Sequence, residues 1–140
     1  MSSHHQVLII GGGSAGIMVA AQLLKQKNAQ DVAIIEPADT HYYQPAWTLV
    51  GAGTYDYKKT ARPMSSVIPK GTTWIKDKAT GFNPENNLVS TATKGNITYD
   101  YLVVAPGLAY DFSLVPGLGE AMDKGVVCSN YTDPKHTWNV

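Results

Sequence analysis

The segment that most constrains this chain is Gly11-Gly-Gly-Ser-Ala-Gly16. It follows Val7-Leu-Ile-Ile10, a short apolar run with no polar alternation, which is the pattern of a strand buried on both faces. After the glycines, Ser14 to about Lys27 reads as a helix, with Ile17, Ala21 and Leu24 on one face at i, i+4 and i+7. Asn28 to Asp31 reads as a turn, and Val32-Ala-Ile-Ile35 as a second buried strand closed by Glu36. Strand, glycine turn, helix and strand make a βαβ unit, which calls for a parallel sheet.

The glycines fit G-x-G-x-x-G at Gly11, Gly13 and Gly16, and Glu36 stands 20 residues after Gly16. Together these are the fingerprint of a dinucleotide-binding turn. Gly11 permits the tight turn. Gly13 lets the backbone approach a pyrophosphate, and Gly16 lets helix and strand pack closely. The helix start offers free N–H groups and the positive end of its dipole to phosphates. Glu36 is placed to accept hydrogen bonds from the two ribose hydroxyls of an adenosine. Its charge would repel a 2′-phosphate, which argues against NADP.

The alternation then breaks. Pro37, Pro45, Pro63 and Pro69 interrupt residues 37–69, and each proline removes a backbone donor. A short helix fits between Pro45 and Gly53. Thr72 to Lys76 reads as a third parallel strand. Segments at about 77–83, 87–93 and 96–100 are separated by the turns Asn83-Pro-Glu-Asn-Asn87 and Lys94-Gly-Asn96, an antiparallel meander. Tyr101 to Ala105 reads as another buried strand ended by Pro106-Gly107, and Val126-Val-Cys128 as a last one. Trp138-Asn-Val140 reads as the beginning of a helix. The fold class is α/β: a Rossmann-like domain whose parallel sheet starts with βαβ and carries an antiparallel β-meander. Both NAD and FAD use this fingerprint. A plain NAD domain continues with a second crossover helix, whereas residues 37–69 are proline-broken and aromatic (Tyr42, Tyr43, Trp47, Tyr55, Tyr57). That difference and the meander favour FAD.

Composition excludes several classes. The length of 140 residues fits one domain. The net charge is 0, so nothing draws the chain to nucleic acid by electrostatics. Hydrophobic residues make up 44%, enough for a packed core. Cys128 is the one cysteine, so neither an internal disulfide framework nor a cysteine-rich zinc site is expected, and no metal site is read. No apolar run is long enough to span a bilayer. The first six residues lack Lys and Arg and Val7–Ile10 is short, so neither a signal nor a transit peptide is expected. His4 and His5 read as inert terminal residues.

The chain resembles the FAD-binding half of the two-dinucleotide-binding flavoproteins, and within them the sulfide:quinone oxidoreductases. The residues carrying this are Gly11-Gly-Gly-Ser-Ala-Gly16, Val32-Ala-Ile-Ile-Glu-Pro37, His41-Tyr-Tyr-Gln-Pro-Ala-Trp-Thr-Leu-Val-Gly-Ala-Gly53, Arg62-Pro63, Ser66-Val-Ile-Pro69 and Tyr99-Asp-Tyr-Leu-Val-Val-Ala105. Ser129-Asn-Tyr131 and Lys135-His-Thr-Trp138 extend the likeness over essentially the whole chain. Block 41–53 is the most specific, because no general fold rule demands it. Ala105-Pro-Gly107 looks like the Ala-Thr-Gly of that class, which lies beside the flavin nucleotide.

The resemblance implies that Ser14 and Ala15 contact the FAD pyrophosphate and Glu36 the ribose, with Pro37 beside it. Gln44 and Pro45 lie near the FAD, and Ala79 presents its backbone to the adenine. It implies an enzyme that oxidises sulfide and passes electrons through FAD to a quinone. That chemistry needs a redox cysteine pair. Cys128 reads instead as a small, mostly buried strand residue, so no catalytic residue is expected here and the redox cysteines are expected downstream. The chain therefore reads as residues 1–140 of an N-terminal FAD-binding domain, without the rest of its parent, soluble and inactive alone. The parent is expected to be a bacterial peripheral membrane protein whose partners are sulfide and quinone, and a homo-oligomer is compatible. Two alternatives are another flavoenzyme of this class (a type II NADH:quinone dehydrogenase or a flavocytochrome sulfide dehydrogenase subunit) and a non-catalytic module that holds FAD or an adenine nucleotide.

Overall fold

Val7, Leu8, Ile9 and Ile10 run parallel to Val32, Ala33, Ile34 and Ile35, residue for residue, in the computed structural model, which describes residues 3–26 and 31–137. All eight are buried. Full burial of each larger side chain among them contributes about 1.5–3 kcal/mol, so this pair of strands anchors the fold. Among the described residues the strands are β1 (Ser3–Ile10), β2 (Val32–Ile35), β3 (Thr40–Tyr42), β4 (Ala61–Pro63), β5 (Thr72–Ile75), β6 (Ala79–Asn83), β7 (Leu88–Thr91) and β8 (Asn96–Val104). The helices are α1 (Ser14–Leu24), α2 (Trp47–Gly51), α3 (Met64–Val67), α4 (Leu118–Asp123) and α5 (Pro134–Thr137). The chain divides into two compact units, Met1–His41 with Pro63–Gly107, and Tyr42–Arg62 with Leu108–Val140.

The first unit holds a six-stranded sheet of order β5-β2-β1-β8-β7-β6. β5, β2, β1 and β8 are parallel, and β8, β7 and β6 are antiparallel. The expected α/β sheet with its meander is thus observed. Three expectations change. The third meander strand and the Tyr101 strand are one nine-residue strand, β8, because Asn96 to Val104 contains no glycine or proline to break it. β1 begins at Ser3, four residues before Val7, because β8 offers it partners from Ile97 onward. The end of β8 is not buried: Tyr101 is 65% exposed and Val104 56%.

Helix α1 ends at Leu24, and the expected turn at Asn28 falls largely outside the described residues. Its buried face is Gly16 and Ala20, flanked by Val19, Leu23 and Leu24. The expected face of Ile17, Ala21 and Leu24 is rotated from this by about one residue, or roughly 100°. The cause is Gly16: a Cβ there would strike the Gly11 carbonyl oxygen and stand 3.2 Å from Ile9 Cγ2. The helix lies against β1 through this glycine, which fixes its rotation.

Asp77 ties β5 to the β7–β8 turn. It is 6% exposed. Its carboxylate accepts from the N–H of Lys78 at 2.8 Å, of Thr93 at 2.8 Å and of Lys94 at 2.7 Å, and from the Thr93 hydroxyl at 3.0 Å. Burial pushes the carboxyl up. The hydrogen bonds from Thr93, Lys78, Thr91 and Lys94 together outweigh it and hold the group below its ordinary value of 3.8. A depressed folded-state pKa gives stability that is present above the unfolded value and lost as pH falls through the folded one. Thermal melts of the wild type are therefore expected to weaken as pH drops below about 4. Asp77→Asn turns an NH2 toward converging donors. We expect its melting temperature to fall by several degrees at neutral pH, with a flatter acid limb. An equally steep limb in the variant would assign the acid loss to other carboxylates.

In the second unit, Trp47 is buried and donates its indole N–H to Thr60 Oγ1 at 3.2 Å. Tyr42 stacks on Tyr57 at 5.5 Å and meets Trp47 edge-on at 5.9 Å. Tyr42 and Trp47 thus serve packing. Burial, followed by the Tyr42 hydrogen bond and the nearby Asp133, pushes the Tyr57 phenol up to about 12. The expected short helix between Pro45 and Gly53 is α2. It packs against α5 through Gly51, where a Cβ would lie 3.1 Å from Thr137 Cγ2. The expected strand at Val126–Cys128 is not formed. Gly125 turns with φ +66, and Val126 N–H caps Ala121 while Gly125 N–H caps Met122, each at 3.0 Å. This helix stop uses Val126 as a cap, which leaves it 65% exposed. Cys128 is half-buried and lines a cavity of about 300 Å³. The expected helix start at Trp138 falls outside the described residues.

Candidate nucleotide-binding site

The glycine turn sits where β1 leaves the sheet. Gly11 N–H bonds to Ile35 O at 2.9 Å, and Ala105 N–H bonds to Ile10 O at 2.8 Å. These two bonds bring the turn, the end of β2 and the Ala105–Gly107 segment to one edge. Gly11 has φ +101, and a Cβ there would collide with the Ala105 carbonyl and stand 3.1 Å from Pro106 Cα. Ala105 and Pro106 therefore lie against the turn. Gly107 has φ +82 and open space around it.

Each glycine of the turn has a different reason to be one. Gly11 and Gly16 are required by the protein itself, as described. Gly12 is also required: a Cβ would stand 2.7 Å from Glu36 Cγ and 3.2 Å from Met64 Sδ. The sequence pattern assigns Gly12 no role, and its only signal is a third consecutive glycine. Gly13 differs. Its backbone is ordinary, with φ −73 and ψ −177, and a Cβ there meets nothing within 4 Å. The fold does not need a glycine at 13.

Gly13 is also the N-cap of α1, and no side chain caps that end. Ser14 and Ala15 are exposed on the first turn. No acidic side chain occupies this turn. The N–H groups of the first turn are thus uncapped by any side chain and lie on exposed residues.

Glu36 is held in place. Its Oε2 accepts from Gly12 N–H at 2.7 Å and its Oε1 from Ala38 N–H at 2.7 Å. Pro37 between them fixes φ and keeps Glu36 extended. Two carboxylate oxygens offer about four acceptor positions, so capacity remains for two hydroxyls. His41 adds a contact that the sequence did not suggest: its Nδ1 lies 3.3 Å from the Gly12 carbonyl oxygen.

Structure thus brings together Gly11, Gly13, Ser14, Ala15, Gly16, Glu36, Pro37, Ala105, Pro106 and Gly107. Ala79 opens β6 and packs against the cluster of Leu8, Ile10, Ala33 and Ile35. Gln44 and Pro45 are exposed and open the single turn Gln44–Ala46, whose Ala46 is buried, in the second unit.

Comparison with known proteins gives this arrangement a family. Residues 5–139 match the family described as pyridine nucleotide-disulphide oxidoreductase. The chain belongs to that family. It is 48% identical over 91% of its length to the mitochondrial sulfide:quinone oxidoreductase of Dictyostelium discoideum, of which it covers 28%. It is 40% identical over 93% of its length to the mitochondrial sulfide:quinone oxidoreductase of Mus musculus, covering 29% of that protein. The X-ray structure of the sulfide:quinone oxidoreductase from Aquifex aeolicus superposes with a TM-score of 0.76 at 26% identity, over 99% of this chain and 30% of that one. This chain therefore spans less than a third of the length of these relatives.

The relatives correct one expectation. A bacterial parent was expected, and the two curated relatives just described are eukaryotic mitochondrial proteins. The residues that carry the resemblance are shared by mitochondrial and bacterial relatives alike, so they held no information on source. Among the described residues, no helix is long and apolar enough to cross a membrane.

Proposed function

We propose that this chain is the FAD-binding part of a sulfide:quinone oxidoreductase, an enzyme that oxidises sulfide and delivers electrons through FAD to a quinone. The observation that carries the cofactor reading is Gly13. The fold demands glycine at 11, 12 and 16 but not at 13. A missing side chain beside an uncapped helix start is what an approaching pyrophosphate requires. Glu36 then takes the adenosine ribose, with its carboxylate already oriented by Gly12 and Ala38. Ala105, Pro106 and Gly107 border the same edge. Ser14 and Ala15 offer N–H groups to the phosphates. Ala79 is proposed for the adenine side, and Gln44 and Pro45 for the neighbourhood of the flavin.

FAD supplies the two-electron acceptor chemistry. The residues of this chain bind and orient its adenosine and pyrophosphate, and no catalytic role is assigned to any of them. The sulfide reaction of this class uses two thiols. Cys128 is the chain's one cysteine, so the pair is proposed to lie outside these 140 residues. The substrates, sulfide and quinone, are proposals for the whole protein, as are contact with a membrane that holds the quinone and self-association.

Purification of the whole protein tests this. We expect a bound flavin spectrum and quinone reduction that depends on sulfide. Reduction driven by NADH and not by sulfide would establish the type II NADH:quinone dehydrogenase reading instead. Bound FAD with no turnover by either donor would make it a binding module.

A further inference from the structure

We propose that Trp74 is a positioning residue for the nucleotide ribose, acting through Glu36. This inference rests on the reading of Glu36 as the ribose acceptor. Trp74 lies on β5, opposite Ile34 of β2. Its indole N–H donates to the Glu36 carbonyl oxygen at 2.9 Å, across 38 residues of sequence. Glu36 N–H bonds back to Ile75 O at 3.1 Å. The peptide groups on both sides of Glu36 are therefore held by adjacent residues of β5.

The position makes this contact consequential. β2 ends at Ile35, so the Glu36 carbonyl lies beyond the parallel ladder. Pro37 follows and has no N–H to extend a ladder. A side-chain donor from the neighbouring strand takes that role. The carboxylate is fixed at its tip by Gly12 and Ala38 and at its base by Trp74 and Ile75. A carboxylate held at both ends loses little freedom when it binds two vicinal hydroxyls, and such preorganisation raises affinity. It also makes the site selective for a ribose that has both hydroxyls, because only that ligand uses the oriented oxygens.

The test is a double-mutant cycle on the 140-residue chain, with ADP and 2′-deoxy-ADP as probes, read by calorimetric titration. Trp74→Phe keeps an aromatic ring and deletes the donor. We expect ADP affinity to fall about three- to tenfold, 2′-deoxy-ADP affinity to change little, and the ratio between them to shrink. In a Glu36→Gln background, Trp74→Phe should cost clearly less than it does alone. Equal losses for both ligands, or full additivity of the two substitutions, would mean that Trp74 only supports the sheet and would overturn the proposal. Trp74→His keeps a ring N–H and should restore part of the discrimination if the phenylalanine variant is too unstable to titrate. Failure of the wild type to bind ADP at all would overturn the ribose reading and this inference with it. ADP binding without discrimination against 2′-deoxy-ADP would remove the ribose role from Glu36 while leaving a phosphate site at the glycine turn.

Discussion

Glu36→Arg is expected to weaken FAD binding by about tenfold to a hundredfold. Losing a charged hydrogen-bond acceptor in a binding site costs about 1.5–3 kcal/mol, and each 1.4 kcal/mol is roughly tenfold in affinity. The structure adds two effects in the same direction. Gly12 and Ala38 lose the acceptor of their N–H groups, so the turn proposed to face the pyrophosphate loosens. A cation then stands where the ribose needs acceptors. Glu36→Gln is the informative companion, since it keeps one acceptor oxygen and removes the charge. Its loss should be smaller than that of the arginine variant. Unchanged FAD affinity in Glu36→Arg, measured by equilibrium titration, would refute the ribose role.

The second large effect separates two glycines only three residues apart. Gly13→Val should leave the melting temperature nearly unchanged, because a Cβ at 13 meets nothing within 4 Å. The whole protein carrying it should emerge from purification with little flavin, because the branched side chain occupies the proposed pyrophosphate position. Gly16→Val should do the opposite kind of damage. Its Cβ is driven into the Gly11 carbonyl and toward Ile9, which pushes α1 off β1. Overpacking of this kind costs about 1–3 kcal/mol, and here the obstacle is backbone, so the upper end is expected. Full flavin occupancy in Gly13→Val would contradict the assignment of that glycine to a ligand. A Gly16→Val chain that melts like the wild type would contradict the account of how helix and strand pack.

How much of this could be read from sequence depended on whether the cause was local. The βαβ unit was legible because Val7–Ile10 and Val32–Ile35 are unbroken apolar runs around a glycine turn, a pattern few other folds use. The rotation of α1 was not legible. Ile17, Val19, Ala20, Ala21, Leu23 and Leu24 surround much of the helix, and only the contact between Gly16 and the strand decides which of them turn inward. The third meander segment and the last parallel strand read as two segments, yet they form one β8 that pairs with β7 at Asn96–Thr98 and with β1 from Ile97 to Val104, a shared pairing that no local pattern marks. Val126-Val-Cys128 has the β-branched residues of a strand, yet a helix stop uses Val126 first.

The site divides in the same way. Gly11, Gly16 and Glu36 stand at motif spacing, and their roles follow from local geometry. Gly12 and Trp74 do not. Their partners are 24 and 38 residues away, and no local pattern announces a contact of that separation. Block 41–53 carried the most specific resemblance. Its physical content is partly visible now in the edge-on contact of Tyr42 and Trp47, the Gly51 contact with α5, and the His41 contact with Gly12.

The central claim is that one nucleotide site is built from the glycine turn, the Glu36 carboxylate and the Ala105–Gly107 segment. Amide NMR of the isotopically labelled chain during titration with ADP tests it most directly. The expected result is saturable shift changes concentrated at Gly11 to Ile17, at Glu36 and Ala38, and at Ala105 and Gly107, all following one binding curve. Shift changes confined to other residues, or none at saturating ADP, would contradict it.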